Sequence, residues 1–98
     1  MSLSLRALMR VGSWQKMALE LIYPDFYIPV DSSNVQEFGY VPEDQTLFVR
    51  FLDKGRGAAL YVYYEVEPDI YADFMAAPSK GKFIWSHLRD RYDYEKLE

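Results

Sequence analysis

The stretch TLFVRFLDKGRGAALYVYYEV, residues 46–66, predicts two strands joined by a tight reversal. Both Thr46–Leu52 and Ala59–Val66 are rich in β-branched and aromatic residues, which favour strands. Between them, Asp53–Gly57 contains two glycines that can supply the positive φ of a tight turn. The stretch therefore predicts an antiparallel β-hairpin at the centre of the domain.

Alternation along this hairpin predicts two faces, because successive side chains of a strand point to opposite sides. Tyr61 and Tyr63 share one face, and Phe48 and Arg50 join them if the register allows. Aromatic rings with an arginine form the kind of stacking surface that binds single-stranded RNA. The alternative is that the tyrosines pack in the core. The better candidate for the core is the aliphatic face, made of Leu47, Val49, Phe51, Leu60 and Val62.

Toward the N-terminus, the pattern predicts one more strand and a helix. Val35–Val41 is a weak strand that ends at a turn containing Pro42. Leu3–Ile22 has apolar residues at steps of three or four, which predicts an amphipathic helix. Pro24 and Pro29 end that pattern and predict an extended connector.

Toward the C-terminus, two helices are predicted. Pro68 suits the first turn of one helix and Pro78 ends it, while Ser79 is a candidate N-cap for a second helix that runs to about Asp90. The predicted fold class is α+β, with a small antiparallel three-stranded sheet, an N-terminal helix and two C-terminal helices. Residues 1–29 are predicted to form the N-terminal helix and its connector, and residues 30–98 the domain itself.

Composition limits the classes of protein to consider. The chain has 98 residues, enough for one domain, and no cysteine, so it has neither disulfides nor thiolate metal ligands. The sequence contains no run of about 18 apolar residues, so it predicts no membrane span. We expect a cytoplasmic protein. The formal charge is −4, so any binding of a polyanion must be local.

One local exception to the acidic composition is PSKGKFIWSHLRDRY, residues 78–92. It gathers aromatic residues around a single acid, Asp90, and four cations, which are Lys80, Lys82, Arg89 and Arg91. Such a patch is typical of phosphate binding, and with Tyr61 and Tyr63 it is the candidate nucleic-acid site. The alternative is a solvated helix face on which Arg89 pairs with an acid such as Asp73 or Glu65.

Catalytic and cofactor signatures are missing from the sequence. His87 is the one histidine, and with no cysteine it offers no metal-ligand spacing and no evident partner for acid–base chemistry. The sequence contains no phosphate-binding glycine loop and no nucleophile motif. We therefore expect no cofactor, no metal, no catalytic residue and no enzyme activity.

Four short motifs occur in order along the chain. They are Ser32 and Ser33 with Gly39 and Tyr40, then Tyr61 and Tyr63, then Ser79 and Gly81 with Phe83, and finally Leu88 and Arg89 with Tyr92. Together they resemble the KTSC domain, a small domain also found at the C-terminus of some lysyl-tRNA synthetases. The resemblance covers about Val30 to Leu97. The resemblance implies a small domain for which RNA binding has been suggested and no catalytic residues are assigned.

Two functions are consistent with these observations. The first is a small non-catalytic domain that binds RNA or another nucleic acid through the basic and aromatic residues. The second is a protein–protein interaction module, an accessory or inhibitory protein of the kind phages encode. It would use the predicted N-terminal helix and an acidic surface formed by Glu65, Glu67, Asp69 and Asp73. Oligomeric state is left open.

Overall fold

A computed structural model describes residues 21–98. The helix predicted for Leu3–Ile22 lies outside the described residues up to residue 20, and residues 21 and 22 belong to no helix. The described chain forms five strands and two short helices. In chain order they are β1 (Ile28–Pro29), β2 (Val35–Val41), β3 (Thr46–Asp53), β4 (Arg56–Tyr63), α1 (Pro68–Ala76), α2 (Lys80–Phe83) with a π-helical turn (Ile84–Leu88), and β5 (Tyr94–Lys96).

The strands form one antiparallel sheet in the order β1-β2-β3-β4-β5. The α+β class stands, but the predicted three-stranded sheet is wrong, because β1 and β5 extend it at both edges. These strands have two and three residues, too few to show an alternating pattern. Pairing with the longer strands defines them instead, as when the Leu97 N–H donates to the Leu60 carbonyl at 2.7 Å.

Register places the tyrosines of β4 on a different face from the one expected. Tyr63 lies opposite Leu47 and Tyr61 opposite Val49, so the tyrosines share a face with these aliphatic residues and not with Phe48 and Arg50. The two strands reverse at a two-residue turn in which Lys54 and Gly55 have positive φ. Shortly before this turn, the register of β3 against β4 shifts between Arg50 and Leu52. A one-residue slip exchanges the two faces of a strand, and the sequence pattern does not fix it.

Both faces of the sheet are covered. The helices pack on one face over a core of Val35, Phe38, Leu47, Val49, Tyr63, Val66, Phe74, Ile84 and Leu88. The other face buries Val41, Phe48, Leu60, Val62 and Tyr64, against which Leu21, Tyr27 and Leu97 pack. Since burial of apolar area is the main driving force for folding, this two-sided core accounts for a stable domain without disulfides.

Two glycines of the quoted motifs allow close approaches. A Cβ at Gly39 would lie 2.7 Å from the Pro24 side chain, so this glycine lets the connector cross β2. A Cβ at Gly81 would lie 3.2 Å from the Asn34 side chain, so this one lets α2 pack on the loop before β2. No helix within residues 21–98 is long and apolar enough to cross a membrane.

Candidate functional site

A tryptophan and an arginine form a stacked pair on the exposed side of the last helical segment. Ser79 begins this segment as predicted, since its Oγ accepts from the Lys82 N–H at 3.3 Å. The π-helical turn, closed by the Arg89 N–H and the Ile84 carbonyl at 2.8 Å, buries Ile84 and Leu88. Trp85 is left 66% exposed, and the Arg89 guanidinium lies 3.9 Å from the centre of its ring.

A row of aromatic rings crosses three neighbouring strands on the helix-bearing face. The ring centres of Phe51 on β3 and Tyr61 on β4 are 5.4 Å apart, and those of Tyr61 and Tyr94 on β5 are 5.9 Å apart. Phe51 and Tyr61 are half-buried, whereas Tyr94 is 45% exposed at the edge of the sheet. Lys96 lies opposite Tyr61 in the register, which adds a cation beside the row.

Tyr63 is a buried neighbour of the aromatic row, and the charge of Arg89 affects its hydroxyl. Its ring is buried, with 4% exposure, and its centre lies 5.6 Å from that of Tyr94. Burial is the main cause that raises the pKa of the Tyr63 hydroxyl to about 12, and the Tyr61 and Tyr94 hydroxyls raise it further. The positive charge of Arg89 acts in the opposite direction and lowers this pKa. We name Phe51, Tyr61, Tyr94, Trp85 and Arg89 the aromatic–cationic surface.

The cations of this region are not neutralised by carboxylates within the described chain. Among residues 21–98, the ion pairs belong to Arg50, which lies 3.5 Å from Glu37 and 3.0 Å from Glu98. Arg89 therefore has no ion-pair partner there, and the alternative in which Asp73 or Glu65 pairs with it is not what the structure shows. An unpaired guanidinium on an aromatic ring is free to meet an anion.

The six residues predicted as a nucleic-acid site do not all lie in one place. Tyr61 and Tyr63 lie beside β5, whereas Lys82, Arg89 and Arg91 are exposed on the last helical segment and the residues after it. Lys80 has a structural role. Its amino group donates to the carbonyls of Met75 and Ala77, both at 2.8 Å, where it caps the end of α1.

His87 is exposed on the last helical segment and is not part of the aromatic row. Its ring stacks on Phe83 with centres 4.3 Å apart, and both line a shallow cleft of about 400 Å³ with Lys82 and Ser86. Within residues 21–98, no three His, Cys, Asp or Glu side chains are arranged to hold a metal ion.

Sequence reasoning missed three members of the aromatic–cationic surface. Tyr94 lies on β5, a strand too short to recognise, and Phe51 was assigned to an aliphatic core face. Trp85 lies within the basic segment, residues 78–92, but it was not included among the site residues. Its spacing from Arg89 on a helix is the signal that could have identified the pair.

Known proteins that are similar to this chain include the following three. A protein from Tsukamurella paurometabola is 41% identical over 64 residues, which are 65% of this chain and 90% of that protein. A lysine–tRNA ligase from Nostoc punctiforme is 31% identical over 67 residues, 68% of this chain, which spans only 11% of the ligase. The crystal structure of a KTSC domain protein from Yersinia pestis superposes with a TM-score of 0.65 at 29% identity, covering 74% of this chain and 97% of that one.

The family comparison agrees with the motifs and with the fold. The model of the KTSC domain matches residues 31–92, which lie within the region of resemblance expected from the sequence. The matched region runs from the loop before β2 to the end of the last helical segment, so it includes Tyr61, Trp85 and Arg89. The chain belongs to the KTSC domain family.

Proposed function

We propose that this chain binds single-stranded nucleic acid, and RNA in particular, through the aromatic–cationic surface and without catalysis. The observation that carries the proposal is the exposed Trp85 ring, stacked on an Arg89 that has no ion pair within residues 21–98. An arginine and aromatic rings at one edge of a sheet match what a flexible strand offers, since its phosphates are anionic and its bases are flat.

The rings and the cations of this surface would bind different parts of a nucleic acid. Tyr94 and Trp85 expose ring surface on which bases can stack, a contact worth roughly 1–3 kcal/mol per base. Arg89, Arg91 and Lys96 are exposed and can meet phosphates. Lys80 contributes less than the sequence suggests, because its amino group is already bonded to two carbonyls.

The family context supports an RNA ligand. One relative of this chain is a lysine–tRNA ligase, whose name identifies it as an enzyme of tRNA, and a segment of that enzyme matches this domain. The proposal includes a cytoplasmic site of action, for which the cysteine-free composition suits a reducing compartment. Because the chain as a whole is acidic, we expect moderate affinity and strong weakening by salt.

Fluorescence anisotropy with a labelled single-stranded RNA tests this proposal at about 50 mM salt, where phosphate contacts are strong. We expect Arg89→Glu to weaken binding at least about tenfold, equivalent to about 1.4 kcal/mol. Arg56→Glu is the matched control, since Arg56 is an exposed arginine of the β3–β4 hairpin and not of the helical segment that carries Trp85 and Arg89. Equal loss in the two variants, or no binding by the native chain, would refute the proposed surface.

A further inference from the structure

A second cleft lies at the β1 edge of the sheet, whereas the aromatic–cationic surface lies at the β5 edge. Its volume is about 530 Å³. The connector before β1 forms one wall, and Tyr40 of β2 and Tyr71 of α1 contribute to the other. The rings of these tyrosines stack with centres 4.0 Å apart and planes 11° from parallel, so this side of the cleft is rigid.

The connector exposes an unusual amount of apolar surface to this cleft. Of the seven large apolar side chains that are exposed within residues 21–98, four belong to Ile22, Tyr23, Phe26 and Ile28, and all four line the cleft. Phe26 is 71% exposed. The connector is held in place where Pro24 lies against Gly39, so these side chains need little ordering when a ligand arrives. Contiguous apolar surface of this kind marks interaction sites.

The charges around the cleft are acidic. Asp25 and Glu43 line it, and no lysine or arginine does so among the described residues. The pKa of the Tyr40 hydroxyl is raised to about 12, first by burial and then by the nearby Tyr71, Glu67 and Asp69. The field in this part of the molecule therefore favours cations and opposes phosphate groups.

We propose that this cleft binds a peptide segment of a partner protein in which apolar side chains alternate with lysine or arginine. Apolar side chains would pack between Phe26 and the tyrosine stack, and the cationic groups would meet Asp25 and Glu43. The acidic lining excludes nucleic acid and anionic lipid surfaces as occupants. This inference is independent of the proposed RNA binding, because it uses the other edge of the sheet.

The test is fluorescence anisotropy of the full chain with three labelled synthetic peptides. The first alternates Leu with Lys, the second has Ser in place of each Leu, and the third has Glu in place of each Lys. We expect binding of the first peptide alone, because both the apolar and the cationic groups are required. Failure of the first peptide to bind at about 1 mM, where even weak complexes are detected, would overturn the proposal. Equal binding of the third peptide would overturn it as well.

Variants locate the binding on the molecule. Phe26→Ser and Glu43→Lys should each weaken the first peptide about tenfold or more. Met75→Ser and Asp53→Lys are the controls, because Met75 and Asp53 are exposed outside the cleft. All of these positions are exposed, so circular dichroism should report an unchanged fold. Losses shared by the controls would place the peptide elsewhere and refute the cleft.

Two further outcomes separate this proposal from others. Arg89→Glu should leave peptide binding unchanged even if it abolishes RNA binding, so the two proposals can fail separately. Light scattering shows whether the chain forms oligomers in solution. Suppose that the chain forms oligomers and that Phe26→Ser and Trp85→Ala each convert them to monomers. A second copy of the chain then occupies the cleft through its own tryptophan and arginine, and the proposed partner peptide is wrong.

Discussion

Lys80 and Lys82 lie two residues apart in the same basic segment, yet the structure gives them different roles. Lys80 bonds to the carbonyls of Met75 and Ala77 at the end of α1, and its amino group lies 5.8 Å from the centre of the Phe74 ring. Lys82 is exposed and has no ion pair within residues 21–98. The sequence alone does not distinguish these two lysines as cations. The geometry of the preceding helix end determines which of them donates to its carbonyls.

This difference gives a matched pair of variants. Lys80→Met should lower the free energy of unfolding by about 1 kcal/mol, because two carbonyls at a helix end lose their donor. Lys82→Met should change stability by less than about 0.5 kcal/mol, as expected for an exposed position. Urea denaturation measures both. Equal stability of the two variants would show that the Lys80 contacts contribute nothing.

Tyr63 makes stability depend on alkaline pH. Burial raises its pKa from 10.0 to about 12, so the folded chain holds this proton through a range where the unfolded chain has released it. The contribution of Tyr63 is therefore complete below pH 10 and is lost as the pH rises through about 12. Tyr40 and Tyr92, whose pKa values are also raised to about 12, act in the same direction.

We therefore expect the free energy of unfolding, measured in urea, to fall between pH 10 and about pH 12. Tyr63→Phe should make this decline shallower, because the variant has no hydroxyl to ionise. The effect is read from the slope with pH and not from the stability of the variant at neutral pH. An unchanged slope would mean that the Tyr63 hydroxyl is as accessible in the folded chain as in the unfolded one.

β5 was not predicted from the sequence, yet the proposed surface depends on this strand. It is attached by the Leu97 N–H to the Leu60 carbonyl at 2.7 Å and by the Tyr64 N–H to the Asp93 carbonyl at 2.8 Å. On the face away from the helices, the Tyr64 hydroxyl donates to the Glu95 carboxylate. These contacts hold Tyr94 beside Tyr61, so the aromatic row requires this strand.

Leu97→Pro tests the role of β5. The substitution removes the donor to Leu60 and an apolar contact with the core, so we expect a loss of about 1–3 kcal/mol and faster amide exchange along β4. RNA binding should weaken as well, because Tyr94 is no longer held beside the row. Leu97→Val keeps the N–H and most of the contact, so it should behave nearly as the native chain. Unchanged exchange in the proline variant would mean that β5 is not paired in solution.

The elements that the sequence predicted are those with enough residues to show a period. The two hairpin strands β3 and β4, together with β2 and α1, have seven to nine residues each and were recognised, whereas β1 and β5 have two and three. The register of the hairpin depended on a turn at Lys54 and Gly55 and on a shift near Leu52, which composition does not specify. The error about the tyrosine face follows from that register.

At the scale of the whole molecule, the two edges of the sheet have opposite character. The β5 edge holds the aromatic–cationic surface, and the β1 edge holds the acidic cleft. An overall charge of −4 conceals this separation, because it averages a basic segment with an acidic remainder. Because the two surfaces share no residue, we expect the proposed RNA and the proposed peptide not to compete for binding.

We propose that RNA binds the molecule at the aromatic–cationic surface. The most direct measurement is a titration of the isotope-labelled full chain with single-stranded RNA, followed by nuclear magnetic resonance. We expect shifts of the Trp85 indole N–H and of the Arg89 and Tyr94 amides, with the amides of Phe26 and Glu43 unmoved. Shifts at Phe26 and Glu43, or no shift at Trp85, would contradict it.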